Sequence, residues 1–241
     1  MEYYYTEPGN VIKESNTLTI KGFEYRHIVK VLRKKTDDII KITDGIRNIY
    51  DCKIVNITKD SVLCKIVSTT YNLYESNVDL KLYVSPLRNM DRFEFLVEKA
   101  VELGVNEIQP VITKHTIQKS TFAKAKMERL QKIIISAMGQ SQRCYLPKMN
   151  NIISFEEMIA FTEKYDTKYV YYEFAKGKRG IIRKLDNVEN ICIFTGPEGG
   201  FEEKEIQILL NNNWQVRSLG ERKLRSETAT ILSIFENLNN I

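Results

Sequence analysis

The first 75 residues alternate between short apolar runs and turn-forming residues. β-Branched and aromatic side chains are concentrated in four runs, which we predict to be strands: 17–22, 38–45, 47–58 and 61–71. Turn dipeptides such as Asp44-Gly45 separate the runs. Between the first two runs, residues 24–35 place Ile28, Val31 and Leu32 at helical spacing, which predicts a short amphipathic helix. Short strands around one helix indicate a small β-barrel domain.

From residue 80 onward the pattern changes, because strand-like runs now alternate with helical ones. The predicted strands are 80–85, 107–113, 168–174, 190–195 and 214–219. The predicted helices are 91–104, 123–140, 154–163, 202–212 and 226–238. This alternation predicts an α/β domain with a parallel sheet covered on both faces. A ligand of such a sheet is expected beyond the carboxyl ends of its strands. The polar residues 72–79 are expected to form a linker.

Composition fits an ordinary globular protein, with 43% hydrophobic and 28% charged residues among 241. The chain has no apolar run long enough to span a membrane and no N-terminal signal pattern, so we expect a soluble, cytoplasmic protein. Four cysteines without a C-x-x-C pair, and only two histidines, indicate neither a metal site nor a disulfide framework.

The basic residues are unevenly distributed, although the net charge is only +5. Residues 21–36 contain six Lys or Arg and one Glu, and residues 114–148 contain eight Lys or Arg and one Glu. Two solvated helix faces would explain either stretch alone. Two such stretches with aromatic residues nearby favour a nucleic-acid partner.

A glycine-rich loop, TGPEGG at 195–200, lies between a predicted strand and a predicted helix. It is not a phosphate-binding motif, and the acidic residues Glu198, Glu202 and Glu203 would repel a phosphate. The loop therefore suits a neutral or cationic ligand, although a plain structural turn is the alternative. A second loop, LGERKLRSETA at 219–229, follows the next strand and carries Arg222 and Arg225 before a helix that Ser226 could cap.

Together, FTGPEGGF and LGERKLRSETA resemble the signature of the SPOUT methyltransferases, specifically the RsmE family. Further segments agree in order: HIVKVLR and DDIIKITDG, VEKAVELGVNEIQPV, and GQSQRCYLP. Lys114-His115, Gly139 and Lys30 depart from the residues usual in the family. The resemblance implies a homodimer that uses S-adenosylmethionine to methylate N3 of a uridine in 16S ribosomal RNA.

The resemblance also implies a domain arrangement: a PUA-like RNA-binding β-barrel at 1–72, a linker at 73–79, and a SPOUT methyltransferase domain with a trefoil knot at 80–241. The cofactor-binding residues that it implies are Glu173, Thr195, Gly196, Pro197, Glu198, Gly199, Gly200, Leu219, Gly220, Leu224, Thr228 and Ala229. The implied RNA-binding residues are His27, Lys30, Arg33, Lys34, Gln140 and Arg143.

The chemistry of uracil suggests catalytic roles. N3 carries a proton, and a guanidinium that donates to a uracil oxygen would stabilise the anion that forms as the proton leaves. Arg225 is the first candidate and Arg222 the second, while Glu227 or a water molecule could accept the proton. Two alternatives stay open: an RNA-binding protein without catalytic activity, and a related SPOUT methyltransferase that acts on tRNA.

Overall fold

The computed structural model describes residues 2–116, 124–165, 167–175 and 190–238, and these form two compact units. The first unit ends at Glu75 but also includes Ile135–Leu146. The second comprises Ser76–Ile134 and the described chain from Pro147 onward. We expected residues 80–241 to form one domain, so the assignment of Ile135–Leu146 to the first unit differs from that expectation.

The first unit is built on a six-stranded sheet. Its strands are β1 (Tyr3–Tyr5), β2 (Val11–Ile12), β3 (Thr17–Lys21), β4 (Ile39–Thr43), β5 (Asn48–Ile57) and β6 (Ser61–Tyr71). The order is β1-β4-β5-β6-β3-β2, with β1 parallel to β4 and the other pairs antiparallel. The Thr6 hydroxyl, just after β1, donates to the Thr19 carbonyl in β3 at 2.7 Å. Because three strands separate β1 from β3, the sheet must curl into a small barrel.

The basic segment after β3 is helical over a shorter range than predicted. A short helix, α1 (Gly22–Arg26), continues as a π-helical turn over His27–Val31. Ile28 is buried in the barrel core, but Val31 and Leu32 are 67% and 41% exposed. The prediction of one apolar face through all three residues was therefore wrong, because the helix ends before Leu32 can turn inward.

The returning segment Ile135–Leu146 joins the first unit through a buried ion pair. The Arg143 guanidinium donates to Glu75 at 2.8 Å, and these two side chains are 5% and 3% exposed. The backbone amides of Cys144 and Tyr145 donate to the other Glu75 oxygen at 2.8 and 2.9 Å. Burial alone would raise the pKa of Glu75, but Arg143 and the amides outweigh it and hold the pKa below its ordinary value. Glu75 is therefore an anchor inside a segment that we predicted to be a polar linker.

A second buried acid, Glu24 in α1, yields a prediction about stability. Burial raises the pKa of Glu24 from 4.5 to about 7, although the Tyr5 amide donates to its carboxylate. A raised pKa in the folded state means that stability falls as pH rises from about 4.5 to about 7, with a maximum loss of roughly 3 kcal/mol. Glu24→Gln should remove this slope and leave a more stable protein at pH 8. Chemical denaturation across pH 4.5–8 checks this.

The exposed Glu14 is the matched control, and Glu14→Gln should keep the pH slope of the unchanged chain. An equal pH slope in Glu24→Gln and the unchanged chain would contradict the assignment.

The second unit is an α/β domain, as predicted. Its strands are β7 (Asp79–Val84), β8 (Glu107–Ile112), β9 (Lys148–Met149), β10 (Ile153–Ser154), β11 (Thr167–Tyr171), β12 (Asn190–Thr195) and β13 (Gln215–Arg217). Its helices are α2 (Met90–Leu103), α3 (Lys124–Gln140), α4 (Phe155–Phe161), α5 (Glu203–Asn211) and α6 (Ser226–Leu238). The last residues of α3 belong to the first unit. The predicted start of α3, at residue 123, lies outside the described residues.

All strand pairs in this sheet are parallel, and the order is β10-β8-β7-β12-β11-β13, with β9 beside β8. The central strands are apolar on both faces, as a doubly covered sheet requires: Ile191, Cys192, Ile193 and Phe194 are all fully buried. Helix α2 begins with the Asn89 side chain accepting from two backbone amides and ends at Gly104, whose φ is 111°. The second unit therefore has a rigid core from which the strand ends project.

Candidate functional site

The carboxyl ends of three adjacent strands lie side by side in the second unit. Tyr171 at the end of β11 is paired in register with Thr195 at the end of β12 and with Arg217 at the end of β13. The loops that follow these strands therefore start from the same edge of the sheet. They surround a cavity of about 510 Å³, which is within the size range of small-molecule sites.

Most of the residues expected to bind a cofactor line this cavity. They are Glu173, Thr195, Gly196, Pro197, Glu198, Gly200, Leu219, Gly220, Leu224 and Ala229. Gly199 and Thr228 are not among the lining residues. Phe201, Lys223 and Ser226, which lie within the two predicted loops, also line it. Other lining residues were not anticipated: Arg92, Tyr171, Tyr172 and Ser218. A signal for Arg92 was present in the sequence, since a basic residue in the first turn of a helix opposes the helix dipole.

The three glycines of the first loop have different surroundings. A Cβ added at Gly196 would lie 2.9 Å from the Phe201 ring, so the ring packs directly on the loop backbone. Gly200 has a φ of 71°, which favours glycine, and lies beside the Glu173 carboxylate. At Gly199 an added Cβ would meet His115 at 2.9 Å. Gly199 therefore permits close contact with His115, and the expectation that it faces a cofactor is not supported.

The charged side chains around the cavity are more basic than the sequence suggested. Two carboxylates line it, Glu173 and Glu198, against four basic side chains: Arg92, Arg222, Lys223 and Arg225. Lys223 Nζ lies 3.2 Å from Glu173. The expectation of predominantly acidic surroundings is corrected, because these carboxylates have cationic partners.

Arg92 joins two of the acidic residues. Its Nε donates to Glu227 Oε1 at 3.0 Å and its Nη2 to Oε2 at 2.5 Å, while its Nη1 donates to Glu198 Oε1 at 3.3 Å. Burial would raise the pKa of Glu227, but the hydrogen bonds from Arg92 outweigh it and the pKa lies below its ordinary value. The pKa of Arg92 is raised by the same contact. A carboxylate with both oxygens engaged and a lowered pKa is poorly suited to accept a proton, which argues against Glu227 as the base.

Arg225 and Arg222 both line the cavity and are exposed. Within the described chain neither makes an ion pair, so both guanidinium groups are available to a ligand. Ser226, the residue after Arg225, donates from its hydroxyl to the Gly196 carbonyl at 2.6 Å. Ser226 thus connects the two loops, which is a role beyond the capping considered from the sequence.

The residues expected to contact RNA separate into two groups. Lys30, Arg33 and Gln140 are exposed, while His27 and Lys34 are partly exposed. Arg143 is different, because its guanidinium is buried against Glu75. The assignment of Arg143 to RNA binding is therefore wrong, and its charge instead holds the first unit together.

The described residues contain neither a cluster of metal-ligating side chains nor a helix that could span a membrane. No group of three or more metal-ligating side chains occurs there, and no helix is long and apolar enough to cross a membrane. All four cysteines are buried thiols.

Comparison with known proteins defines the class of this protein. Residues 74–235 match the family model of the RNA methyltransferase domain, and residues 20–67 match that of the RNA methyltransferase PUA domain. The chain is thus an RNA methyltransferase with a PUA domain, which confirms the PUA-like domain expected from the resemblance.

Relatives across the full length narrow this class. The chain is 31% identical to ribosomal RNA small subunit methyltransferase E of Bacillus subtilis, covering 97% of this chain and 94% of the relative. It is 34% identical to the protein of the same name from Mesomycoplasma hyopneumoniae, covering 91% and 92%. The crystal structure of ribosomal RNA small subunit methyltransferase E from Neisseria gonorrhoeae, bound to S-adenosyl methionine, has a TM-score of 0.86 at 30% identity and covers 99% and 98%. The chain belongs to the ribosomal RNA small subunit methyltransferase E family.

Proposed function

We propose that this protein methylates N3 of a specific uridine in 16S ribosomal RNA of the small ribosomal subunit, with S-adenosylmethionine as methyl donor. The observation that carries the proposal is the cavity at three adjacent strand ends, in a chain whose Neisseria gonorrhoeae relative is bound to that cofactor. Residues 80–241, apart from the segment Ile135–Leu146 that belongs to the first unit, would carry the chemistry, and residues 1–72 would dock RNA.

The lining residues fit S-adenosylmethionine in size and chemistry. A cavity of about 510 Å³ suits a ligand of this size, and the backbone at Gly196 and Gly200 has no side chain that would block a flat base. The carboxylates of Glu173 and Glu198 line the cavity together with four basic side chains, so a zwitterionic ligand would find both signs of charge there. When bound, the cofactor supplies an electrophilic methyl group.

The residues of this chain would act on the uracil. Arg225 would donate to a uracil oxygen and stabilise the negative charge that develops as N3 loses its proton, with Arg222 as second candidate. Because Arg92 already occupies both oxygens of Glu227, a water molecule is the better proton acceptor. Alignment of uracil N3 with the methyl group would supply a further large part of the rate.

RNA would dock on the basic segment of the first unit. Changing both Arg33 and Lys34 to Ala should weaken RNA binding and reduce the salt dependence of the binding constant, since each lost phosphate contact lowers the slope by about one. Filter binding from 50 to 300 mM salt measures the slope. Lys13 is exposed and lies outside the basic segment, so Lys13→Ala provides a control for loss of a positive charge. An unchanged slope in the double variant would mean that Arg33 and Lys34 form only a solvated face.

The family resemblance adds three finer proposals. The second unit would be knotted, the protein would act in the cytoplasm, and it would be a homodimer. Support for the dimer comes from the packed helices α2 and α6, where Phe95 and Leu232 are 47% and 41% exposed. Light scattering over a range of protein concentrations measures the oligomeric state.

Transfer of a labelled methyl group tests the proposed function. The protein and methyl-tritiated S-adenosylmethionine are incubated in three separate reactions, which contain naked 16S rRNA, assembled small subunits or tRNA. We expect label in 16S rRNA, at N3 of one uridine after nuclease digestion. Label in tRNA alone would favour a related SPOUT methyltransferase, and RNA binding without label would favour a non-catalytic RNA-binding protein.

A further inference from the structure

Three separate segments of the second unit meet at the Arg92 guanidinium. Arg92 belongs to the first turn of α2, Glu198 to the glycine loop after β12, and Glu227 to the first turn of α6. The partners are 106 and 135 residues away along the chain. All three segments border the proposed cofactor site, because Arg92, Glu198 and Ser226 line the cavity. Arg225 lies two residues before Glu227, immediately ahead of α6.

The position of Arg92 in the first turn of α2 is electrostatically unfavourable for the helix itself. A basic side chain in a first turn opposes the helix dipole, and Asn89 already accepts hydrogen bonds from the amides of Asp91 and Arg92. Without a cation between them, the Glu198 and Glu227 carboxylates would repel each other. The guanidinium therefore stabilises an arrangement of loops and not a helix.

We propose that Arg92 is a positioning residue that fixes the glycine loop relative to the first turn of α6, and so sets the shape of the cavity and the placement of Arg225. The expected effect on turnover rests on the proposed function, whereas the expected effects on cavity shape and cofactor affinity do not require RNA methylation. The planar fork of Arg92 bonds both oxygens of Glu227 while its remaining Nη1 reaches Glu198, and a lysine ammonium cannot reproduce this directional set.

A second contact attaches α6 to the glycine loop at another residue. The Ser226 hydroxyl donates to the Gly196 carbonyl at 2.6 Å, while Arg92 connects Glu198 to Glu227. Two adjacent α6 residues are thus attached to two residues of one loop. A third contact, between the Thr195 and Thr230 hydroxyls at 2.8 Å, lies at the start of the same loop. Loss of Arg92 would leave α6 attached to the loop only near Gly196 and Thr195, so Glu198 and the first turn of α6 could shift relative to each other.

The chain offers a matched control for loss of an Arg–Glu pair. Arg129 on α3 contacts Glu94 on α2 through Nε at 2.6 Å and through Nη2 at 2.6 Å. The Glu94 side chain is 11% exposed, the same as that of Glu227. Arg129 does not line the cavity. Arg129→Met therefore removes a similar ion pair from the same unit without touching the site.

The experiment compares Arg92→Met, Arg92→Lys and Arg129→Met in the full chain. Equilibrium titration with S-adenosylmethionine, turnover at saturating cofactor, and hydrogen–deuterium exchange of 196–202 and 226–230 are measured. We expect Arg92→Met to weaken cofactor affinity about tenfold, lower turnover about a hundredfold, and increase exchange in both segments. Arg92→Lys should recover affinity more than turnover, and Arg129→Met should match the unchanged chain in all three measurements.

A double variant of Arg92 and Arg225 shows whether Arg92 acts by positioning Arg225 or by stabilising the whole protein. If Arg92 acts by placing Arg225, then Arg92→Met and Arg225→Lys together should lose less turnover than the product of their separate losses. Cofactor affinity and exchange in Arg92→Met that match those of Arg129→Met would overturn the proposal, as would turnover of Arg92→Met within twofold of the unchanged chain. If the unchanged protein binds cofactor but labels no small-subunit RNA, the proposed function fails, and affinity and exchange alone decide on Arg92.

Discussion

Replacing Arg225 by lysine should slow methyl transfer about a hundredfold while leaving cofactor affinity close to that of the unchanged protein. The substitution keeps the positive charge but removes the planar set of donors that would bond a uracil oxygen. Because that bond strengthens as N3 loses its proton, the loss should appear in turnover at saturating substrate. Single-turnover assays with labelled S-adenosylmethionine measure it.

The pH dependence of the same variant provides an independent test. Raising the pH should partly restore turnover in Arg225→Lys, because uracil N3 then loses its proton more readily without assistance. Arg222→Lys is the comparison variant, since Arg222 lines the same cavity and is also exposed. A larger loss in Arg222→Lys would transfer the role to Arg222. A destabilised Arg225→Lys protein with normal turnover would make Arg225 structural.

Replacing Gly196 by valine should weaken binding of S-adenosylmethionine about a hundredfold, or ~2.7 kcal/mol. An added Cβ lies 2.9 Å from the Phe201 ring, which is buried against Phe194. Either the ring or the loop must move, and both line the cavity. Calorimetric titration measures the affinity. The melting temperature should also fall, since overpacking a well-packed region is destabilising.

A control at another glycine separates the effect on binding from the effect of added volume. Nothing lies within 4 Å of a Cβ added at Gly9, so Gly9→Val should bind cofactor normally. Saturating cofactor should raise the melting temperature of the unchanged protein and of Gly9→Val, but not that of Gly196→Val. A normal titration in a folded Gly196→Val protein would contradict the assignment of this loop.

The hydrophobic pattern predicted the α/β domain well because its strands are apolar on both faces and its helices each have one apolar stripe. In α2, which was predicted as a helix over 91–104, the apolar residues Phe93, Leu96, Val97, Ala100 and Val101 form one stripe that is fully buried. Short elements escaped prediction: β1, β2, β9 and β10 have two or three residues each, too few to show a period.

The parts of the candidate site formed by short glycine-containing loops could be predicted from the sequence. The contacts between side chains that are distant along the chain could not. The two glycine-containing loops pointed to the cavity once their resemblance to a family signature was added, although local residues alone left a plain turn open. The contact of Arg92 with Glu227 joins residues 135 positions apart, and no local pattern contains that information. The burial of Arg143 escaped prediction for the same reason, because its partner Glu75 lies in a segment that reads as polar.

The return of Ile135–Leu146 to the first unit has a consequence for synthesis on the ribosome. Besides the contacts to Glu75, the Leu146 amide donates to the Gly45 carbonyl and the Cys144 carbonyl accepts from the Arg47 amide, both at 2.9 Å. A nascent chain that has emerged only as far as Glu75 lacks these donors and acceptors and leaves the Glu75 carboxylate without Arg143. The N-terminal barrel therefore cannot complete its folding during synthesis until about 70 further residues have emerged from the ribosome. At that point the end of α3 and the residues that follow it can contact Glu75.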